Sequence, residues 1–150
     1  MAAVRPPTRT VLGMKVTLML ADSAQAVAGK LYILGGGWSV IGPEPSPSAI
    51  AIKIEIPWNE AIRQHQWSVR LHDADGTVVQ IDTPEGRQAV EVTGQFEVGR
   101  PTGAIEGVPL DLPLAVGPGP LPLTSGRYEW QLTIDERHDE DWTASFTMRG

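Results

Sequence analysis

The chain has 150 residues, an apolar fraction of 41% and a formal net charge of −6, from 18 acidic and 12 basic residues. This length corresponds to about one domain, and the apolar fraction is sufficient for a complete hydrophobic core. The absence of cysteine excludes disulfide bonds and thiolate metal sites, and it fits a cytoplasmic protein. The acidic balance argues against a nucleic-acid partner, which would require a basic surface.

The amino-terminal part of the chain predicts a tail followed by one domain. Residues 1–13 are expected to form a flexible tail, and residues 14–150 a single β-sandwich domain. The apolar run Met14–Ala21 loosely resembles a signal peptide, but it is short and Asp22 ends it, so a strand is the better interpretation. No window approaches the roughly 18 apolar residues that cross a membrane, so no membrane association is expected.

Alternation of apolar and polar residues predicts most of the remaining elements, because successive side chains of a strand point to opposite faces. The predicted strands are Lys15–Ala21, Leu31–Leu34, Trp38–Ile41, Ala49–Pro57, Gln66–His72, Thr77–Ile81, Ala89–Val98, Tyr128–Ile134 and Trp142–Met148. The one helical candidate, Asn59–Gln64, is too short to define an architecture. About seven to nine strands with almost no helix predict an all-β fold, namely an antiparallel, immunoglobulin-like β-sandwich.

Two motifs resemble those of known β-sandwich proteins. The spacing Leu123-x-x-Gly126-x-Tyr128 resembles the tyrosine corner of immunoglobulin-like domains, in which the tyrosine hydroxyl binds nearby backbone. Together with His65 and the run Leu71-x-Asp73-x-Asp75-Gly76, it resembles an uncharacterised family of bacterial β-sandwich proteins known mainly from actinobacteria. The resemblance covers most of the predicted domain, and it implies a fold without any catalytic assignment.

Two acidic turns supply the candidate metal ligands. His72, Asp73 and Asp75 precede a glycine, but the further acidic positions of an EF-hand are missing, and a hairpin turn explains the same residues. Asp139 and Asp141 belong to the second turn, Asp135–Asp141. Three interpretations of this turn stay open: it binds a divalent ion, it recruits a basic partner, or it is a solvated turn.

The sequence contains no motif for nucleophilic catalysis or phosphate binding. Gly35-Gly36-Gly37 fits neither phosphate-loop pattern and precedes no helix, and no nucleophile elbow is present. We therefore expect no cofactor and no enzymatic activity.

The segment 99–126 is rich in proline and glycine, and Pro109 and Pro113 confine it to a sheet edge or an extended loop. Its apolar residues either fold back on the sandwich as an edge strand or present a ridge that another subunit covers. Two tryptophans at element ends are further candidates for exposure. The predicted partner-binding residues are Leu110, Leu112, Leu114, Val116, Trp38 and Trp58.

The sequence alone does not identify the function, and two classes stay open. The leading hypothesis is a non-catalytic binding or assembly module that contacts a protein partner or a second copy. The alternative is a metal-dependent or carbohydrate-binding β-sandwich, or a small enzyme that uses the acidic His/Asp cluster. The carbohydrate hypothesis rests on the five tryptophans, since exposed aromatic rings stack on sugars.

Overall fold

The computed structural model of the protein describes residues 11–150. These residues form two 3-10 helices, Val11–Gly13 and Trp58–Glu60, and eleven strands, which confirms the all-β prediction. The strands are β1 (Lys15–Val27), β2 (Lys30–Gly36), β3 (Val40–Ile41), β4 (Ala49–Ile56), β5 (Gln64–Asp73), β6 (Gln80–Thr83), β7 (Gly86–Ala89), β8 (Glu91–Glu97), β9 (Leu110–Val116), β10 (Gly126–Ile134) and β11 (Thr143–Met148). No helix among them has the length and apolar character to span a membrane.

The predicted tail falls largely on residues 1–10, which lie outside the described residues, so it stays a prediction. Of its last residues, Leu12 packs against the core. The predicted helix Asn59–Gln64 is replaced by the single 3-10 turn Trp58–Glu60, because β5 already begins at Gln64.

Nine of the strands form two sheets. The first sheet has the order β2-β1-β4-β9 and the second has the order β3-β11-β10-β5-β8, while β6 and β7 form a separate hairpin. Every pair of strands is antiparallel except β3 and β11, which run parallel. The number of strands exceeds the predicted seven to nine because β7 completes a hairpin with β6 and the proline-containing segment supplies β9.

One hydrophobic core joins the two sheets. The isoleucines of β4 at positions 50, 52, 54 and 56 are at most 1% exposed, whereas Lys53 points to solvent. Trp130, Leu132 and Ile134 of β10 belong to the same cluster of buried side chains. The period-two pattern that predicts both strands therefore also identifies the faces that meet in the core.

The predicted tyrosine corner is present. The Tyr128 hydroxyl donates a hydrogen bond of 2.7 Å to the Thr124 carbonyl oxygen, and its ring stacks on Phe146 with centroids 5.6 Å apart. This contact ties the start of β10 to the preceding loop. The immunoglobulin-like detail of the architecture stays a prediction, which the corner supports.

The strand β1 is longer than predicted, and its two halves have different surroundings. Residues Lys15 to Ala21 pair with β4, but Asp22–Val27 pair only with β2. The hairpin therefore extends beyond the pairing with β4 as a two-stranded ribbon. We call residues 22–36 the β-arm.

The segment with two prolines folds back as an edge strand. Its strand β9 pairs with β4 in a register that places Leu112 opposite Ile54 and Leu114 opposite Ile52. Leu110 and Val116 are buried, and Leu112 and Leu114 pack against the core. Of the two alternatives for these residues, the structure therefore has the edge strand rather than an exposed ridge.

Candidate interaction surface

The first acidic turn uses its carboxylate to hold the backbone. Oδ1 of Asp73 accepts hydrogen bonds from the backbone N–H groups of Asp75 at 2.9 Å and Thr77 at 3.0 Å. His72 lies on the opposite face of β5, because neighbouring side chains of a strand alternate. The arrangement is that of a tight turn, in which an aspartate binds the backbone two residues later.

The second acidic turn is partly buried rather than fully solvated. Oδ1 of Asp139 accepts the Asp141 N–H at 3.0 Å, and Asp139 is only 9% exposed. His138 contacts the Leu132 carbonyl oxygen through Nδ1 at 2.6 Å. Within residues 11–150, no three histidine or acidic side chains come together in a geometry that could hold a metal ion. The two candidate turns thus do not combine into one ligand set.

A hydrogen-bonded pair that no sequence motif indicates lies at the start of the second turn. His65 is fully buried, its Nδ1 lies 2.6 Å from Oδ2 of Asp135, and its Nε2 lies 2.9 Å from the Glu60 carbonyl oxygen. Both neighbours can only accept hydrogen bonds, so each ring nitrogen lies within hydrogen-bonding distance of an acceptor. With no exposed surface, this ring holds three segments together and has no access to a substrate.

Electrostatics around Asp135 favour its ionised form. Burial would raise the pKa of this carboxyl group, but the hydrogen bond from His65, the hydrogen bond from the Gln66 N–H and the charges of His65 and Arg63 together lower it. Opposite charge and donated hydrogen bonds both stabilise a carboxylate. Asp135 is therefore held as an anion in the folded protein.

The two tryptophans predicted to bind a partner contact other residues of the chain. Trp38 packs partly buried against the core, edge-on to Phe146 with ring centroids 6.1 Å apart. The Arg100 guanidinium lies 4.4 Å from the centre of the Trp58 ring and also donates to the Trp58 carbonyl oxygen. Partner binding by these two residues stays a prediction, and their rings already have neighbours within the chain.

A run of exposed apolar side chains lies elsewhere, on the β-arm. Leu34 is 72% exposed, Tyr32 56% and Ile33 38%, and Val27 on the neighbouring strand is 51% exposed. Tyr32 and Leu34 point to one face of the arm and Ile33 to the other, because the strand alternates. Contiguous exposed apolar surface on a globular protein usually marks a binding site.

The β-arm also carries the least protected sheet edge. The two sheets have four edge strands, namely β2, β9, β3 and β8. Natural edges are protected by proline, charge or short length. Strand β9 contains Pro113, β3 has two residues, and β8 begins and ends with a glutamate. By contrast, β2 has one charged residue, Lys30 at its first position, followed by four apolar residues.

Sequence reasoning missed this surface although a local signal existed. Leu31–Leu34 is a run of four apolar residues between a lysine and three glycines. The run predicts a strand of the sandwich, and one face of such a strand is buried. The run has no polar residue that would face solvent. This pattern is expected when both faces of a strand contact a binding partner.

A concave region lies on the outer face of the second sheet. Polar and charged side chains of β5 and β8 line a depression of about 440 Å³, including Gln66, Ser68, Arg70, Thr93 and Gln95. Arg70 Nε donates to a carboxylate oxygen of Glu91 at 2.6 Å, which fixes the guanidinium at its rim. The volume falls in the range of small-ligand sites, although such sites are mostly more apolar.

Comparison with known proteins gives a family but no function. Residues 16–146 match a family described as a family of unknown function (DUF6941). No curated protein matches the sequence.

Proposed function

Given that this chain belongs to the DUF6941 family, a family of unknown function, we propose that it is a non-catalytic assembly module that binds another polypeptide through the β-arm. The observation that carries the proposal is the exposure of Tyr32, Ile33 and Leu34 on a sheet edge whose one charged residue is Lys30 at its first position. An edge of this kind promotes pairing with another strand.

The mechanism of binding is strand addition. Along β2, about every second residue directs its N–H and C=O groups away from β1, and an extended partner strand satisfies them. These backbone bonds supply affinity, while the side chains on the two faces of the arm select the partner. Lys30 is the single formal charge between Ser23 and Trp38, so the partner strand is expected to be apolar and nearly uncharged.

Three of the side chains that could perform chemistry are engaged within the fold, which supports a non-catalytic role. Asp73 and Asp139 accept backbone hydrogen bonds within their own turns, and His65 is inaccessible. A catalytic group must reach the reacting atoms.

The second candidate function is the binding of a carbohydrate or another small polar ligand in the depression between β5 and β8. Its hydroxyl, amide and guanidinium groups are suited to hydrogen bonding with sugar hydroxyls. A metal-dependent β-sandwich and a small enzyme that uses the acidic His/Asp cluster are the further alternatives. A glycan screen with the parent and with Gln95→Ala tests the depression, since binding there requires loss of signal in the variant.

The proposed setting is the cytoplasm of a bacterium, with no nucleic-acid or membrane partner. The resemblance to bacterial proteins, the lack of cysteine and the net charge of −6 support this setting.

Site-specific photo-crosslinking in cells tests the assembly function. A photoreactive amino acid at position 32 is compared with the same group at position 95, which lies on the protected edge strand β8. We expect a discrete crosslinked product, identified by mass spectrometry, from position 32 alone, and its loss when Leu34→Glu is added. Equal crosslinking at both positions, or none at position 32, would contradict the proposal.

A further inference from the structure

We propose that the strand added to the β-arm is β2 of a second copy of this chain, paired antiparallel across a two-fold axis. This inference rests on the proposed function and names its partner. Two-fold dimers are the commonest assemblies of soluble proteins, and in them each subunit contributes the same patch. An edge strand fulfils this condition whenever its sequence is compatible with its own reversed copy.

Symmetry limits the possible registers. A two-fold axis perpendicular to the sheet keeps every side chain on its own face, so one residue must lie opposite its own copy at the axis. The central residue is therefore Leu31, Tyr32 or Ile33, since these occupy the middle of the apolar run.

The register centred on Tyr32 makes the most apolar contact. It places the two Tyr32 rings side by side, Leu31 opposite Ile33 of the second copy, and Leu34 opposite the aliphatic stem of Lys30. Aromatic and branched side chains in opposite positions are the pairs that stabilise antiparallel strands. Centring on Ile33 would instead set Leu31 opposite Gly35, and centring on Leu31 would set Ile33 opposite Gly29.

The position of the Lys30 charge also favours the register centred on Tyr32. Lys30 is the one formal charge of the arm beyond Asp22 at its base. Around Tyr32 the two Lys30 side chains lie at opposite ends of the paired strands, so the like charges are separated. A partner strand rich in charge would leave its own charges against Leu31 and Ile33, which disfavours it.

The size of the contact sets the expected affinity. Two seven-residue strands bury less surface than the roughly 800 Å² per partner of a standard stable interface. The dimer is therefore a reversible one, with a dissociation constant in roughly the micromolar range.

A disulfide experiment tests the register, because the chain contains no cysteine and each introduced thiol is unique. Tyr32→Cys is compared with Gln25→Cys, whose position pairs with residue 32 across the hairpin and is also exposed. At position 32 the two thiols face each other across the axis. At position 25 they are about three strand spacings apart, roughly 14 Å, which is too far for a disulfide.

We expect Tyr32→Cys to form a covalent dimer at least tenfold faster than Gln25→Cys under mild oxidation. Equal rates would overturn the inference. A parallel measurement avoids any effect of the new thiol: the sedimentation mass of the parent should rise from 16.2 kDa towards twice that value with concentration, while Leu34→Glu stays at 16.2 kDa. A parent that remains monomeric would also overturn it.

The outcomes separate this inference from the proposed function. Crosslinking of position 32 to a different polypeptide, without self-pairing, would contradict the two-fold dimer but would agree with the assembly function. Failure of both experiments removes both proposals.

Discussion

The Nδ1 atom of His65 lies 2.6 Å from Oδ2 of Asp135, so a partly buried hydrogen-bonded pair joins the start of β5 to the turn that follows β10. The two residues are 70 positions apart in the sequence. Asp135 has a positive φ of 50°, a backbone conformation that aspartate and asparagine tolerate better than most residues. The turn is therefore held in place by a side chain that also suits its backbone.

Asp135→Asn should reduce the free energy of unfolding at neutral pH by about 1–3 kcal/mol, because the hydrogen bond with His65 loses its charged acceptor. Asparagine keeps the backbone conformation, so the loss reports the charge. Chemical denaturation measures it, and an unchanged midpoint would show that the pair contributes nothing.

The same pair predicts a difference in acid sensitivity. The pKa of Asp135 is lowered in the folded protein, so its stabilisation is fully present above the unfolded value of about 3.9 and is lost as the pH falls through the folded pKa. As the pH falls below about 4, the parent should lose more stability than Asp135→Asn. Parallel losses in the two proteins would argue against this assignment.

Tyr128→Phe should lower the free energy of unfolding by about 0.5–1.5 kcal/mol, the net contribution of one ordinary hydrogen bond. The chain has two tyrosines, and Tyr32→Phe is the matched control because its ring is exposed and should change stability by less than about 0.5 kcal/mol. Equal effects in the two variants would discard the structural role of the corner.

Gly94→Ala should destabilise the protein by about 1–3 kcal/mol, since an added methyl group would lie 2.6 to 2.8 Å from three atoms of the Trp67 indole. In the Trp67→Leu background the same change should cost less, because the crowded ring is gone. Gly99→Ala is the control, as nothing lies within 4 Å of its added carbon. Additive losses in the double variant would show that the ring is not the obstacle.

The same substitution, leucine to glutamate, is expected to have different effects in the core-facing edge strand β9 and in the exposed β-arm. Leu112→Glu places a charge against the core and should cost at least about 2 kcal/mol, whereas Leu34→Glu should cost less than about 0.5 kcal/mol. Similar losses at both positions, measured at a concentration where the chain is monomeric, would mean that Leu34 is covered within the monomer.

Sequence periodicity was sufficient wherever one face of a strand is buried and the other is wet. The isoleucines of β4 and the alternation in β10 identify both the strand and its inner face. Tyr128 was also predictable, because its hydroxyl binds Thr124, a residue only four positions earlier.

The β-arm and the ion pair were not predictable in the same way. The predicted first strand ended where alternation ends at Asp22, yet a two-stranded ribbon needs no buried face and continues to Val27. His65 and Asp135 carry no local pattern, because only the pairing of β5 with β10 brings them together. Periodicity reports burial on one face, and it is silent about long-range contacts and about surfaces that remain open.

Strand β1 runs without interruption from the core, where Leu20 is 4% exposed, into the β-arm. Anything that binds the folded arm and not the unfolded chain therefore also raises the melting temperature of the whole domain. For a self-pairing arm the added ligand is the protein itself. The melting temperature would therefore rise with protein concentration and fall on dilution. The resistance of this domain to heat would then depend on how much of it a cell makes.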